Sequence, residues 1–232
     1  MSHPGTSEQG HTDVIEPECF SKEALQSVHQ LNRTLVELLV TSARQRPSEA
    51  QSQIVLELGP ALLELGSRAR EELAHCPIAL ADFGFRNLEL WRQIESGRTV
   101  LPSLSTCFPH PQATQLAQST LTLAWTLWQS SREAAPIVFG LTPECGATLA
   151  RIGVQAIPRI SEAYAHCVRP RWETAISFWR GLIRIAQFTD SPAQARLPTV
   201  ALYALQRQLA DLIPLSPHPA TPETGSTRAN QY

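Results

Sequence analysis

The sequence predicts an all-α protein made of two related small helical units in tandem, with a helix-turn-helix-like corner and disordered termini. Three observations predict it. Apolar residues recur at intervals of three and four through most of the chain, as in Leu25, Val28, Leu31, Leu35, Leu38 and Leu39. Helix-start signals precede several of these runs: Ser21 with Glu23, Asn87, and Thr142-Pro143-Glu144. The two halves of the chain also resemble each other. Leu38 to Leu58 lies without gaps over Leu121 to Leu141, and each half then passes a Gly corner, an Ala-His-Cys triplet and a tryptophan-bearing helix (Trp91, Trp179).

The elements follow in order. Residues 1–20 are polar and read as a disordered tail. The first unit, 21–95, opens with a helix from Ser21 to Arg46, which Pro47 ends. A second helical pattern runs from Ser48 to Leu65, with Gly59-Pro60 as a kink or boundary. Gly66-Ser67 is a turn, Arg68 to His75 a short helix, and Ile78 to Phe85 an extended segment. Asn87 caps a last helix to Glu95.

Residues 96–111, with three prolines, are a linker to the second unit, 112–213. That unit starts with a helix from Gln112 to Arg132. A helix from Pro143 then presents Ala147, Leu149, Ala150 and Ile152, Gly153 breaks it, and a second helix carries Ile157, Ile160 and Tyr164. Two short helices around one glycine have the layout of a helix-turn-helix, and also of an ordinary packed corner. Glu173 to Gln187 forms another helix. In a C-terminal helix from about Pro198, Leu202, Leu205, Leu209 and Leu212 make a narrow seam suited to assembly with another helix, a homo-oligomer included. Residues 214–232 read as a second disordered tail.

Composition narrows the function. The chain has 232 residues, 43% hydrophobic and 17% charged, with a formal charge of −2. A protein holding nucleic acid by itself usually carries a net basic field, so any DNA contact here needs a partner or a local patch. Five scattered cysteines without a Cys-x-x-Cys pair, and no apolar run of transmembrane length, fit a reduced cytoplasmic protein without a membrane segment. His75-Cys76 and His166-Cys167 are adjacent pairs, which point in different directions on a helix, so neither a metal site nor a cofactor is expected. Neither Gly-x-Ser-x-Gly nor a phosphate-binding Gly-rich loop occurs, and the expectation is a non-enzyme.

The candidate binding group is basic: Arg159, Arg169, Arg171, Arg180 and Arg184. Arg180 and Arg184 are four apart on one helix face, and Arg169 and Arg171 flank Pro170 just before that helix. Guanidinium groups bind phosphate bidentately and make the common contact to guanine. The same arginines would also suit a solvated face paired with Glu162 and Glu173.

The order of elements resembles the family of FlhD, the flagellar master-regulator subunit, and its relatives on mobile elements. The resemblance lies in Phe-Gly-Leu-Thr-Pro-Glu (139–144), Ala-Thr-Leu-Ala-Arg-Ile (147–152) and Val-Gln-Ala-Ile-Pro-Arg-Ile-Ser (154–161). In the first half it lies in Val28, Leu31-Asn32 and Leu35, and in Asp82-Phe83-Gly84-Phe85. The first half lacks the family's Leu-Gly turn, and Ala81 stands near where the family can carry a cysteine. The resemblance implies an all-helical transcription regulator that binds promoter DNA with a second, zinc-containing subunit of the FlhC kind, which makes much of the DNA contact. The rival from another class is an interaction protein, an adaptor, chaperone or anti-activator, without DNA contact.

Overall fold

A computed structural model describes residues 21–45, 51–97 and 106–187 together with Ala204 and Arg207. Among the described residues the fold is all-α apart from one pair of two-residue strands. The predicted tails and the Leu202, Leu205, Leu209 and Leu212 seam lie outside the described residues; Ala204 and Arg207 are helical, and Ala204 is fully buried.

Helix α1 (Lys22–Ala43) starts where Ser21 caps it, its hydroxyl accepting from the Ala24 amide at 3.2 Å. Of the apolar stripe predicted for it, Val28, Leu31, Leu35 and Leu39 are buried and Leu25 and Leu38 half-buried; the buried face turns to take in Val36 and Val40 as well. Helix α2 (Gln53–Leu63) is capped by Ser52 and runs through Gly59-Pro60, so of the kink or boundary expected there the boundary is corrected. Proline in the second half of a short helix removes one ladder bond, and burial of Ile54, Val55, Leu58 and Leu62 on the other face outweighs that loss. Helix α3 (Ser67–Ala74) follows, then the strand β1 (Ala81–Asp82) and α4 (Leu88–Glu95), with Asn87 Oδ1 accepting from the Leu90 amide at 3.1 Å.

Helix α5 (His110–Ser130) begins inside the expected linker, because Pro111 suits a first turn and Cys107 and Phe108 are buried rather than solvated. A short helix not anticipated from the sequence, α6 (Ala134–Phe139), ends at Gly140 in the left-handed conformation, φ 66°. Then come α7 (Pro143–Ile152), a 3₁₀ turn (Val154–Ala156), α8 (Ile157–Ala163), another 3₁₀ turn (Ala165–Cys167), β2 (Arg169–Pro170) and α9 (Ile176–Gln187).

The packing interleaves the two halves. α1 packs on α2, α3 and α5; α5 packs on α6, α7 and α8. α4, from the first half, lies against α7, while α9, from the second, lies against α2 and α3. β1 pairs antiparallel with β2, Ala81 opposite Pro170 and Asp82 opposite Arg169. The core is one continuous cluster drawn from both halves.

Irregular chain at the centre of this arrangement needs partners for its polar groups. Asn32, fully buried on α1, supplies them for the segment leading into β1. Its Nδ2 donates to the carbonyls of Cys76 and Ile78, both at 2.9 Å, and its Oδ1 accepts from the Leu80 amide at 2.8 Å. On α7, Gly146 is a close-approach residue: a Cβ there would sit 2.6 Å from the Trp128 ring. Of the apolar face predicted for α7, only Leu149 is fully buried. The inward face turns instead through Cys145, Gly146, Thr148 and Leu149, because the helix rolls to seat Gly146 on Trp128.

Candidate nucleic-acid or partner interface

The helical corner forms as its residues dictate. Thr142 Oγ1 accepts from the Cys145 amide at 3.3 Å and Pro143 occupies the first turn of α7. Gly153 adopts φ 78°, which a side chain would strain, and only a 3₁₀ turn separates it from α8. The second helix is shorter than the sequence suggested. Tyr164, expected within that helix, leaves the helical conformation at φ −120°, so residues 154–167 form a 3₁₀ turn, seven α-helical residues and another 3₁₀ turn. The exposed residues of α8 are Pro158, Arg159 and Glu162, one charge of each sign.

The five arginines do not share one surface. Arg159 is exposed on α8. Arg169 is exposed on β2 and pairs with Glu173 at 2.9 Å, the pairing that the sequence offered as an alternative to a binding role. Glu173 also accepts from the backbone amide of Gln53, so it pins the start of α2 as well. Arg171 is 7% exposed. Its Nη1 donates to the carbonyls of Val138 at 2.9 Å and Ala79 at 3.4 Å, its amide donates to Leu80, and its guanidinium lies 4.5 Å from the Trp172 ring centroid. It acts as a strut between the halves.

Arg180 and Arg184 stand where their spacing put them, on the exposed face of α9. That face reads Ser177, Arg180, Arg184 and Gln187, spaced three, four and three, with no carboxylate among them. The opposite face, Phe178, Trp179, Leu182, Ile183 and Ala186, is buried against the first half. Trp179 Nε1 donates to the Arg171 carbonyl at 2.8 Å, and in the first half Trp91 Nε1 donates to the Gly84 carbonyl at 3.1 Å. The basic stripe is therefore carried on a firmly seated helix.

The thiols are poorly set for chemistry. Burial pushes Cys76 and Cys107 up to about 12 and Cys167 up to about 11, and raises Cys145 as well. A thiol in that range is almost wholly protonated at neutral pH, and the thiolate is the nucleophile and metal ligand.

The described residues also form concave features away from the stripe. A cleft of about 680 Å³ between α1 and α5 is walled by amides and hydroxyls, among them Gln30, Thr34, Gln115, Gln118 and Thr122. A smaller cavity lies beside the β1–β2 pair. Asn32 and Gly146 escaped the sequence reading as structural determinants; a polar residue within the apolar stripe of α1 was the available signal for the first.

Among the described residues, no helix is long and apolar enough to cross a membrane. No family model, curated protein or solved structure matches the chain, so its own geometry carries the functional reading.

Proposed function

We propose that this chain is a transcription-regulator subunit of the FlhD kind, carrying two related helical units on one polypeptide and binding promoter DNA together with a partner subunit. The observation that carries this reading is the reciprocal packing of the halves. Each half offers a long helix, short helices, a two-residue strand and a tryptophan-bearing helix that reaches across to the other half. Antiparallel pairing of β1 with β2 is what a two-fold relation between the units would produce. In this reading the tandem acts as a dimer in one chain.

The exposed stripe of Arg180 and Arg184 is the surface assigned to DNA phosphate in the complex, with Arg159 on α8 as an outlying contact. The partner supplies most of the contact, which suits a formal charge of −2. Arg169 and Arg171 are left out of the DNA contact, since one is paired and the other buried. The helical corner serves packing and partner contact, because the exposed face of α8 is neutral.

The test is recovery of the tagged chain from its native cell at low and high salt, with protein and DNA both identified. Promoter DNA recovered with a basic, cysteine-rich subunit at low salt supports the reading. So does loss of that DNA, with the protein partner kept, in an Arg180→Ala/Arg184→Ala variant. A second reading, an adaptor without DNA contact, is favoured by the uncharged cleft between α1 and α5, whose amides and hydroxyls suit a polar peptide. A protein partner that survives high salt with no DNA at either salt selects the adaptor.

A further inference from the structure

The smaller cavity holds about 210 Å³ and is lined by Asp82, Arg86, Phe139, Arg171, Trp172 and Arg207. Three arginines and one aspartate therefore line one space, a formal charge of +2 from the lining residues. The walls are preformed. Arg171 is held by the Val138 and Ala79 carbonyls and by the Trp172 ring, and Asp82 Oδ1 accepts from the Phe85 amide at 3.2 Å. Trp172 takes a left-handed backbone, φ 53°, unusual for a bulky residue and the kind of strain found at ligand clamps.

We propose that this cavity binds a phosphate monoester, with Arg86, Arg171 and Arg207 gripping the phosphoryl group. Guanidinium forks match phosphate geometry, and several converging on one small space is the usual chemistry of such a site. Charge decides between oxyanions: a phosphate monoester carries about −1.5 to −2 at neutral pH, which matches the lining, whereas a carboxylate brings about −1. Size agrees. At roughly 30 Å³ per water the cavity has room for about seven waters, more than a phosphoryl group alone fills. Phe139 and Trp172 give the remainder of the ester an apolar and aromatic wall.

The three arginines come from separate places: Arg86 from the turn after β1, Arg171 from the turn after β2, and Arg207 from the C-terminal part of the sequence. A ligand among them ties Arg207 to the junction of the two halves, so the site acts as an effector site. It is independent of the DNA reading, since none of the exposed α9 arginines belongs to it.

The test is titration calorimetry of the full chain, at constant ionic strength, with ribose 5-phosphate, inorganic phosphate and acetate, and with duplex DNA as a separate arm. Saturable binding of either phosphate is expected, with acetate at least about tenfold weaker, in line with the loss of one charge-assisted hydrogen bond. Arg86→Gln and Arg207→Gln should each weaken the phosphate by about tenfold or more while leaving the circular dichroism of the unliganded protein unchanged. Binding of neither phosphate, or equal binding in wild type and both variants, overturns the proposal. So does DNA binding that depends on Arg86 and Arg207 while the small phosphates are ignored.

Discussion

Replacing Asn32 by leucine keeps the branched side-chain shape on α1 and removes every hydrogen bond that the amide makes. Three of those are short: to the Cys76 and Ile78 carbonyls at 2.9 Å, and from the Leu80 amide at 2.8 Å. Each is worth about 1 kcal/mol net when made. A buried backbone group left without a partner costs about 1–3 kcal/mol, so three orphaned groups cost roughly 3–9 kcal/mol before any relaxation or water entry. Domains of this kind are stable by only about 5–15 kcal/mol, so the substitution removes a large share of the total. Urea unfolding followed by circular dichroism reads it directly, as a drop in midpoint with the slope preserved. Asn32→Asp sharpens the test, since it keeps the shape but sets an oxygen against two carbonyl oxygens; it should cost as much as Asn32→Leu. A loss below about 1 kcal/mol in both variants would refute the argument that Asn32 is the clamp of the β1 segment.

Gly146→Ala should destabilise by about 1–3 kcal/mol, because the new methyl meets the Trp128 ring at 2.6 Å; thermal unfolding and tryptophan fluorescence report it. Arg171→Ala should cost about 2–4 kcal/mol through loss of the strut at Val138 and Ala79, and Arg171→Lys should recover little of it. The Arg180→Ala/Arg184→Ala pair should leave thermal stability within about 0.5 kcal/mol, since both side chains are exposed on α9. Alkaline pH should weaken the fold. Cys76 and Cys107 hold their protons up to about 12 when folded but lose them near 9 when unfolded. Their contribution is complete below pH 9 and falls as pH rises toward 12, by up to about 1.4 kcal/mol per unit for each thiol. Urea titrations at pH 8, 9.5 and 10.5 check the sign, and flat stability across that window would contradict it.

Local signals were the legible ones. Ser21, Asn87 and Thr142 cap helices because a short oxygen-bearing side chain satisfies an amide three residues away, an interaction written in adjacent sequence. The stripe of α1 and the exposed pair Arg180 and Arg184 follow from helical period alone. Arg171 was read with the exposed arginines because its local sequence, Arg-Pro-Arg-Trp, looks like a polar turn. Its burial depends on carbonyls 33 and 92 residues away. Asn32 reaches partners 44 to 48 residues along the chain, and β2 exists only because β1 lies beside it. Pro60 was read as a boundary from its own stereochemistry, whereas burial of the opposite face of α2 keeps the helix whole. Distance along the chain, more than residue type, separated what could be read from what could not.

The crossing of α4 and α9 has a consequence for how the two halves could ever be separated. Each reaching helix packs against the opposite half, so a cut between residues 97 and 106 would leave two pieces, each with apolar surface uncovered where the other had lain. Joined on one chain, they meet at the effective concentration of a tether, whatever the protein's abundance. If the halves are the dimer on one chain that we propose, the pair is also released from the rule that both members carry identical residues. On that reading, Asn32 clamping the β1 segment and Arg171 bracing it from the other half is a division of labour closed to two copies of a single gene product sharing one sequence.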